Sequence, residues 1–456
     1  MQGSCLWPTK GASPPRVGRS TAMHGMTRRS FLGKTTTTAA AFAAGPLILP
    51  RSVLGANDRI ALGIVGPGGR GSGLVDWAHK FAEEENVEFQ AVCDIWSQRL
   101  ASGAARVEKL TGRAPKQYRT LGEICADPEI DALIIATPDF AHAYHCRVAV
   151  EAEKDVYIEK PLGCDFRQIK LCWETVKASD RVVQMGTQRR GDGKCIGAQQ
   201  FIKGGGLGKV TYGEIIEPLF QERWRIPGAE TSLTEQDTIW SEFLAYAPYE
   251  PFDARKYREF RLFWPYSSGC FCQWMSHKID LVNWVLDELP CSAVAWGGVY
   301  AWPDGRTNPD TVQCLLEYPS GCLVTYHMRL GNGANTRGIT LYGTHGTMEL
   351  EAGIAYGDGG GGTIVPVTPG EPNTAFNIDA SKVLKSKQDG GVKWESPPDV
   401  DHMQDFLRCL RTREQPRGNI DAGYAHSVAT TLANMAYRNK CQMVYDHQTR
   451  VMKKAV

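Results

Sequence analysis

Two side chains in this 456-residue sequence have the type and setting for proton transfer at an alcohol. Lys160 stands in Tyr157-Ile158-Glu159-Lys160-Pro161, at the end of a short β-rich run, and Pro161 pushes it into an extended conformation. His277 stands in Gln273-Trp274-Met275-Ser276-His277-Lys278-Ile279-Asp280. His277, Asp280, Leu281 and Trp284 fall at i, i+3, i+4 and i+7, one face of a helix. On that spacing Asp280 orients the imidazole, and His277 exchanges a proton with a substrate hydroxyl at a pH near its own pKa. The same spacing fits a core histidine satisfied by Asp280, and a lone strand-end lysine fits a solvated side chain, so both residues need a context.

That context is a nucleotide. Gly66-Pro67-Gly68-Gly69-Arg70-Gly71 contains G-x-G-x-x-G directly after the apolar run Ile60–Val65 and before a helical segment that reaches Ala82. Gly66, Gly68, Gly69 and Gly71 permit a tight turn and close backbone approach, so a pyrophosphate rests on the helix N-terminus. Asp94 ends the strand Val87–Cys93, 23 residues after Gly71, where an acid binds both ribose hydroxyls or else caps the next helix. Ile95 supplies no cation for a 2′-phosphate, although Arg99 stands close by, which favours NAD over NADP. Further strands over Ala132–Ala136, Asp155–Ile158 and Arg181–Met185 alternate with helical patterns and predict a parallel, doubly wound α/β sheet. Ligands of such sheets sit beyond the carboxyl ends of the strands, which puts Glu159 and Lys160 at the cofactor crevice.

After Met185 the pattern changes. Val210–Glu217, Ala293–Tyr300, Thr311–Glu317, Cys322–Arg329, Ile339–Tyr342 and Thr347–Glu351 read as strands without regular helices between them, and Gly357 to Gly362 reads as a flexible loop. This predicts an α+β domain with one large open, mostly antiparallel sheet, followed by packing helices over 401–412 and 422–437. An open sheet needs cover, which predicts a homodimer or homotetramer. The division expected is a leader over 1–56, a nucleotide domain over 57–187 and a substrate and oligomerisation domain over 188–456.

The ordered set G-x-G-x-x-G, Cys93-Asp94, Ala136-Thr137-Pro138 and Glu159-Lys160-Pro161 resembles the glucose–fructose oxidoreductase/inositol dehydrogenase (Gfo/Idh/MocA) family, from Ile60 to about Asp446. The resemblance implies a Rossmann domain, Lys160 as a catalytic residue, and Thr137, Pro138, His142, Glu159 and Gln188 beside the cofactor, with Arg189 reaching the substrate. The family carries G-x-H-x-x-D, with an aspartate four residues before the histidine. Here His277 and Asp280 match, but Gln273 and Met275 replace that aspartate and the glycine, so Gln273 is left to hydrogen-bond substrate. Trp240, with Asp237, Tyr257 and Arg258, lies in an aromatic and charged stretch suited to a polyhydroxylated ring, or to a domain contact. The implied activity is NAD(P)-dependent hydride transfer at a secondary alcohol of a sugar, sugar acid or cyclitol. An NAD-dependent redox-assisted glycosidase and a non-catalytic sugar-binding scaffold are the alternatives, the latter favoured by Gln273 and Met275.

Composition narrows the class. Hydrophobic residues are 42% and charged residues 22%, an ordinary globular balance. Residues 1–56 hold seven Lys/Arg and no acid, which leaves 44 basic and 50 acidic residues beyond them, a formal charge of −6. A mildly acidic body argues against nucleic-acid binding. Thr27-Arg28-Arg29-Ser30-Phe31-Leu32-Gly33-Lys34, followed by the uncharged stretch Thr35–Leu49, resembles a twin-arginine export signal, with periplasmic or secreted destination and cleavage near Ala56. The uncharged stretch is too short for a membrane span of about 20 residues. Of 14 cysteines, many sit inside apolar periodic runs and read as small buried hydrophobes; Cys270-Phe271-Cys272 is the one close pair, and no zinc pattern is completed, so no metal is expected.

Overall fold

The computed structural model describes residues 58–334, 337–358 and 384–455. The basic leader, with its arginine pair and cleavage position, and most of the Gly357–Gly362 run lie outside the described residues.

Alternating apolar strands and amphipathic helices build the first sheet. Its strands are β1 (Ile60–Val65), β2 (Val87–Cys93), β3 (Lys116–Tyr118), β4 (Ala132–Ile135), β5 (Asp155–Ile158) and β6 (Val183–Met185), all parallel, in the order β3-β2-β1-β4-β5-β6. This doubly wound order reverses direction between β1 and β4, where the crevice for a dinucleotide opens. Helix α1 (Gly69–His79) follows β1, and α2 (Ser97–Thr111) follows β2. The β1, β4 and β5 strands are buried on both faces and read as continuous apolar runs, as two-sided cover requires. Short β3 went unseen in the sequence because its residues are exposed or half-buried and carry no apolar pattern.

Among the described residues the second sheet is mixed and ten-stranded. Its long central strand β7 (Val210–Phe220) pairs parallel with β10 (Leu323–Arg329) and antiparallel with β12 (Gly338–Gly343). Strands β8 (Ser292–Gly298) and β9 (Thr311–Glu317) extend it antiparallel on one side, and β13 (Gly346–Glu349) and β14 (Ile354–Tyr356) on the other. One face packs on helix α9 (Ser276–Leu286) and the long α11 (Ile420–Asn439), whereas Trp296 is 65% and Tyr300 70% exposed. Cross-sheet burial of alternate residues explains why β9 and β10 were legible as strands.

Chain order and packing part company at the C-terminus. Helix α10 (His402–Thr412) belongs by sequence to the second half, yet Met403, Phe406, Leu407 and Leu410 pack with Leu62, Ile64 and Tyr157 in the core of the first sheet. His402 carries this docking further, with Nε2 2.7 Å from the Met185 carbonyl at the end of β6. The thirteen described cysteines are all unpaired and eleven are buried, in keeping with their reading as small hydrophobes. Among the described residues no helix is long and apolar enough to cross a membrane.

Candidate active site

The glycine-rich turn is shaped for close approach. Gly66 holds φ +80°, and a Cβ on Gly71 would lie 2.1 Å from the Gly66 carbonyl oxygen. Gly68 and Gly69 face open space, and the N-cap Gly68 offers no side chain to the first N–H groups of α1. Those unsatisfied donors and the positive helix end suit a pyrophosphate. Beside them lies a cavity of about 350 Å³, bordered by Gly66, Gly68, Asp94, Arg99, Thr137 and Pro138. The residues present therefore fit a dinucleotide. A second wall comes from the stretch after β7: Ile226, Phe243, Tyr257, Arg258 and Arg261 face the same cavity. Tyr257 meets Trp96 edge-on at 6.0 Å, and Arg258 lies 5.0 Å from the same indole, so the two walls touch.

Asp94 ends β2 at the ribose position. Its Oδ1 accepts the Trp96 N–H at 2.8 Å, and burial lifts its pKa to about 6 in spite of that bond and of Arg99 and Arg119. Ribose hydroxyls donating to Asp94 favour the charged form, so NAD binding lowers this pKa and releases a proton where the apo group is still protonated. NAD affinity is expected to fall as pH drops through about 6, with proton uptake into buffer detected calorimetrically near that pH. Asp94→Asn should abolish both the slope and the proton release. His145 also borders the cavity, but burial pulls its pKa down to about 3 and keeps it neutral in that window.

Glu159 is a hub and not an exposed contact. It is 3% exposed; Arg70 of α1 donates to its Oε1 at 2.7 Å, Gln188 Nε2 donates to the same oxygen at 3.2 Å, and the Lys160 N–H donates to Oε2 at 3.0 Å. One buried carboxylate thus ties the glycine turn, the β6 exit and Lys160 together. His142 corrects the expectation of a cofactor contact. It is 2% exposed and absent from the cavity wall; its ring nitrogens lie 2.6 Å from the Pro161 carbonyl and 2.7 Å from the Thr137 carbonyl. It braces the two backbone segments that carry Lys160 and Thr137.

Lys160 and His277 meet. With Gln188, Arg189 and Ser276 they border one narrow crevice. Lys160 Nζ donates to Gln273 Oε1 at 3.1 Å and to the Gln273 carbonyl at 3.2 Å, and burial lowers its pKa. Gln273 Nε2 in turn donates to Asp139, a buried carboxylate that also accepts from the Ser267 hydroxyl at 2.7 Å. Gln273 therefore holds the lysine and passes its orientation back to Asp139. A carboxylate stands behind position 273 after all, supplied by the other half of the chain.

His277 begins α9 just after a π-helical turn over Cys270–Met275. Burial, then the nearby cations Lys160, Arg189 and Arg337, hold its pKa well below the usual histidine value, so the imidazole is neutral and able to accept a proton. Asp280 does not orient it, contrary to the i, i+3 expectation. Its carboxylate is 2% exposed and takes Arg190 in a bidentate pair, with Nε donating to Oδ2 at 2.9 Å and the terminal nitrogen to Oδ1 at 3.0 Å, and His426 3.9 Å away. Asp280 is thus held by Arg190 and not by His277, and it borders the crevice that Lys160 and His277 line. Among the described residues the His277 ring has no hydrogen-bond partner, which leaves both nitrogens for a ligand.

Trp240 is also corrected. It is 5% exposed, stacks on Phe243 at 4.8 Å, and donates Nε1–H to the Glu250 carbonyl at 2.7 Å, so its ring is not offered to a sugar. Tyr257 and Arg258, from the same stretch, reach the nucleotide cavity instead. Arg189 stays at the crevice, paired with Glu351 at 3.1 Å.

Residues 60–187 match the family model described as an oxidoreductase family with NAD-binding Rossmann fold, and residues 237–349 match the GFO/IDH/MocA C-terminal domain. The chain belongs to the Gfo/Idh/MocA family. It is an NAD-dependent oxidoreductase. This Gfo/Idh/MocA protein is 25% identical over 302 residues to inositol 2-dehydrogenase of Rhizobium meliloti (strain 1021), covering 63% of the chain and 78% of that relative. It is 26% identical over 210 residues to a glycosyl hydrolase family 109 protein of Shewanella pealeana, covering 43% of each. The solved WlbA dehydrogenase of Bordetella pertussis, in complex with NADH and UDP-GlcNAcA, shares the fold with a TM-score of 0.60 at 16% identity, over 85% of this chain and 99% of that one.

Proposed function

We propose that this protein transfers hydride between NAD and a secondary alcohol of a sugar, sugar acid or cyclitol. The observation that carries the reading is the convergence of Lys160, from the end of β5, and His277, from the start of α9, on one crevice beside Gln188. Bound NAD supplies the hydride acceptor. His277, half-buried and held neutral by desolvation and neighbouring cations, takes the hydroxyl proton. Lys160, steadied by Gln273, holds the alcohol oxygen and stabilises the negative charge that grows on it. The similarity to an inositol 2-dehydrogenase supports a polyhydroxylated substrate. The exposed Trp296 and Tyr300 on the open sheet support assembly with a second copy. The test is to add sugars, sugar acids and cyclitols to the NAD-loaded protein and follow NADH fluorescence. NADH formed with any of them supports the reading, and none formed across the three classes sinks it.

A second reading is redox-assisted glycoside cleavage, in which oxidation, elimination of the aglycone, addition of water and reduction amount to hydrolysis. The second wall of the nucleotide cavity favours it, because such a cycle must keep its cofactor through every step. The similarity to glycosyl hydrolase family 109 proteins also supports it. Release of nitrophenol from an aryl glycoside with no net NADH identifies this case.

We also propose twin-arginine export, on the motif around Arg28 and Arg29 alone. Replacing both arginines with lysine should leave precursor in the cytoplasm, seen by fractionation, with nucleotide binding intact. Mature protein outside the cytoplasm in that variant removes the proposal.

A further inference from the structure

Beside the crevice that holds Lys160 and His277 lies a cluster of cations, whose charge reaches His277 from Arg189 and Arg337 and Lys160 from Arg261. Lys278 stands between Glu217, at 3.6 Å, and Glu351, which Arg189 also pairs; Arg337 pairs with Glu217, and Arg261 lies 3.9 Å from Asp139. Lys160 and Arg223 form no ion pair among the described residues. Six cationic side chains thus face three carboxylates. The surplus centres on Trp274, the residue after Gln273 and three before His277. The Arg223 and Arg337 guanidinium carbons lie 4.9 and 5.0 Å from its ring centroid.

Among the described residues two buried donors there have no acceptor, Arg223 Nε and Trp274 Nε1. A buried N–H without a partner is costly, and native structures keep such groups where something else fills the need. The crowding is real in electrostatic terms: burial, then Arg261 and Arg337, hold the Arg223 pKa below the ordinary arginine value. An anion is the group that relieves like charges and accepts from both donors at once.

We infer that the substrate carries a negative charge, as a carboxylate or a phosphate, seated between Arg223, Arg337 and the Trp274 N–H while its reacting hydroxyl lies at Lys160 and His277. This rests on the proposed alcohol oxidation and names the substrate class for that same site. A neutral aldose or cyclitol would leave both donors and the surplus charge unanswered, so the site selects against it by what it leaves unpaired.

The test compares matched pairs on the NAD-loaded protein: glucuronate, galacturonate and gluconate against glucose, galactose and myo-inositol, with glucose 6-phosphate and UDP-glucose as the phosphate arm. The charged members should have kcat/KM at least about tenfold higher, with KM rising as salt is added. The carboxylate and phosphate arms show which anion it is. Arg223→Gln should lower the charged-to-neutral ratio of kcat/KM by about 10- to 100-fold, the scale of a lost charge-assisted hydrogen bond, with Arg223→Lys intermediate. NAD affinity should not move, which separates a substrate anion from the cofactor's own phosphates.

Equal use of neutral and charged members, an equal loss for both in Arg223→Gln, or a weakened NAD affinity there overturns the inference and leaves the redox reading standing. If no compound reduces NAD, yet glucuronate or glucose 6-phosphate raises the Tm of the unmodified protein and not of Arg223→Gln, the anion site stands and the redox reading falls.

Discussion

Lys160→Ala and His277→Ala should each lower turnover by about 10²–10⁴ while leaving NAD affinity nearly unchanged. The size follows from the role: each group handles one proton or one developing charge at the same oxygen. Neither is asked to bind pyrophosphate or adenosine ribose, which fall to the glycine turn and Asp94. The two losses should not add. With Lys160 gone, His277 has an unpositioned hydroxyl to work on, so the double variant should fall little below the worse single one. Steady-state kinetics with NAD titration by fluorescence quenching separates the effects. His277→Ala with near-normal turnover would make it a core histidine and leave Lys160 as the sole proton-transfer group. The pH profile carries the same information, because a histidine held well below its usual pKa acts as a base across the neutral range and loses that role only in acid.

Gly71→Val should weaken NAD binding by about 100-fold or more. Even the first carbon of a side chain there lies 2.1 Å from the Gly66 carbonyl oxygen, closer than any van der Waals contact permits, so the turn must open. An overpacked backbone contact costs on the order of 1–3 kcal/mol, and here the displaced atoms are the ones that frame the pyrophosphate. Gly73→Ala is the control. It lies two residues along the same helix, faces open space, and as an Ala-for-Gly change inside a helix should raise Tm slightly. Equal NAD affinity in the Gly71 variant, measured by calorimetry, would mean that the nucleotide does not lie on this turn.

The nucleotide half was legible because its signals are local. Strand, glycine turn, helix and Asp94 follow one another within forty residues, and each is enforced by backbone geometry that leaves a mark on residue choice. That Lys160 and His277 belong to one site was legible by motif, and their partners were not. The i, i+3 spacing of His277 and Asp280 is satisfied equally by a contact between them and by a contact with something else. Arg190, from a segment ninety residues earlier, wins Asp280 because a bidentate guanidinium neutralises a buried carboxylate better than an imidazole does. Asp139, which restores a carboxylate behind Gln273, comes from the other half and could be found only by folding. Trp240 failed for a related reason: an aromatic residue suits a sugar face and a core equally, and its neighbours Phe243 and Tyr266 settle the matter. Arg70 and Arg223 carry no sequence mark, since a single arginine in a turn or loop resembles any solvated one.

The wall that residues 226–261 contribute to the nucleotide cavity has a kinetic meaning. It meets the nucleotide domain at Trp96, by an edge contact with Tyr257 and a guanidinium of Arg258, and at Phe140, which packs on Phe243. Release of a nucleotide enclosed between the two walls would then call for a local opening of these contacts, with a free energy of its own. Residence time and the chemical step become separately adjustable properties of one chain. Loosening the contacts at Trp96 and Phe140 should speed nucleotide release while leaving Lys160 and His277 in place, which stopped-flow displacement of NAD would read.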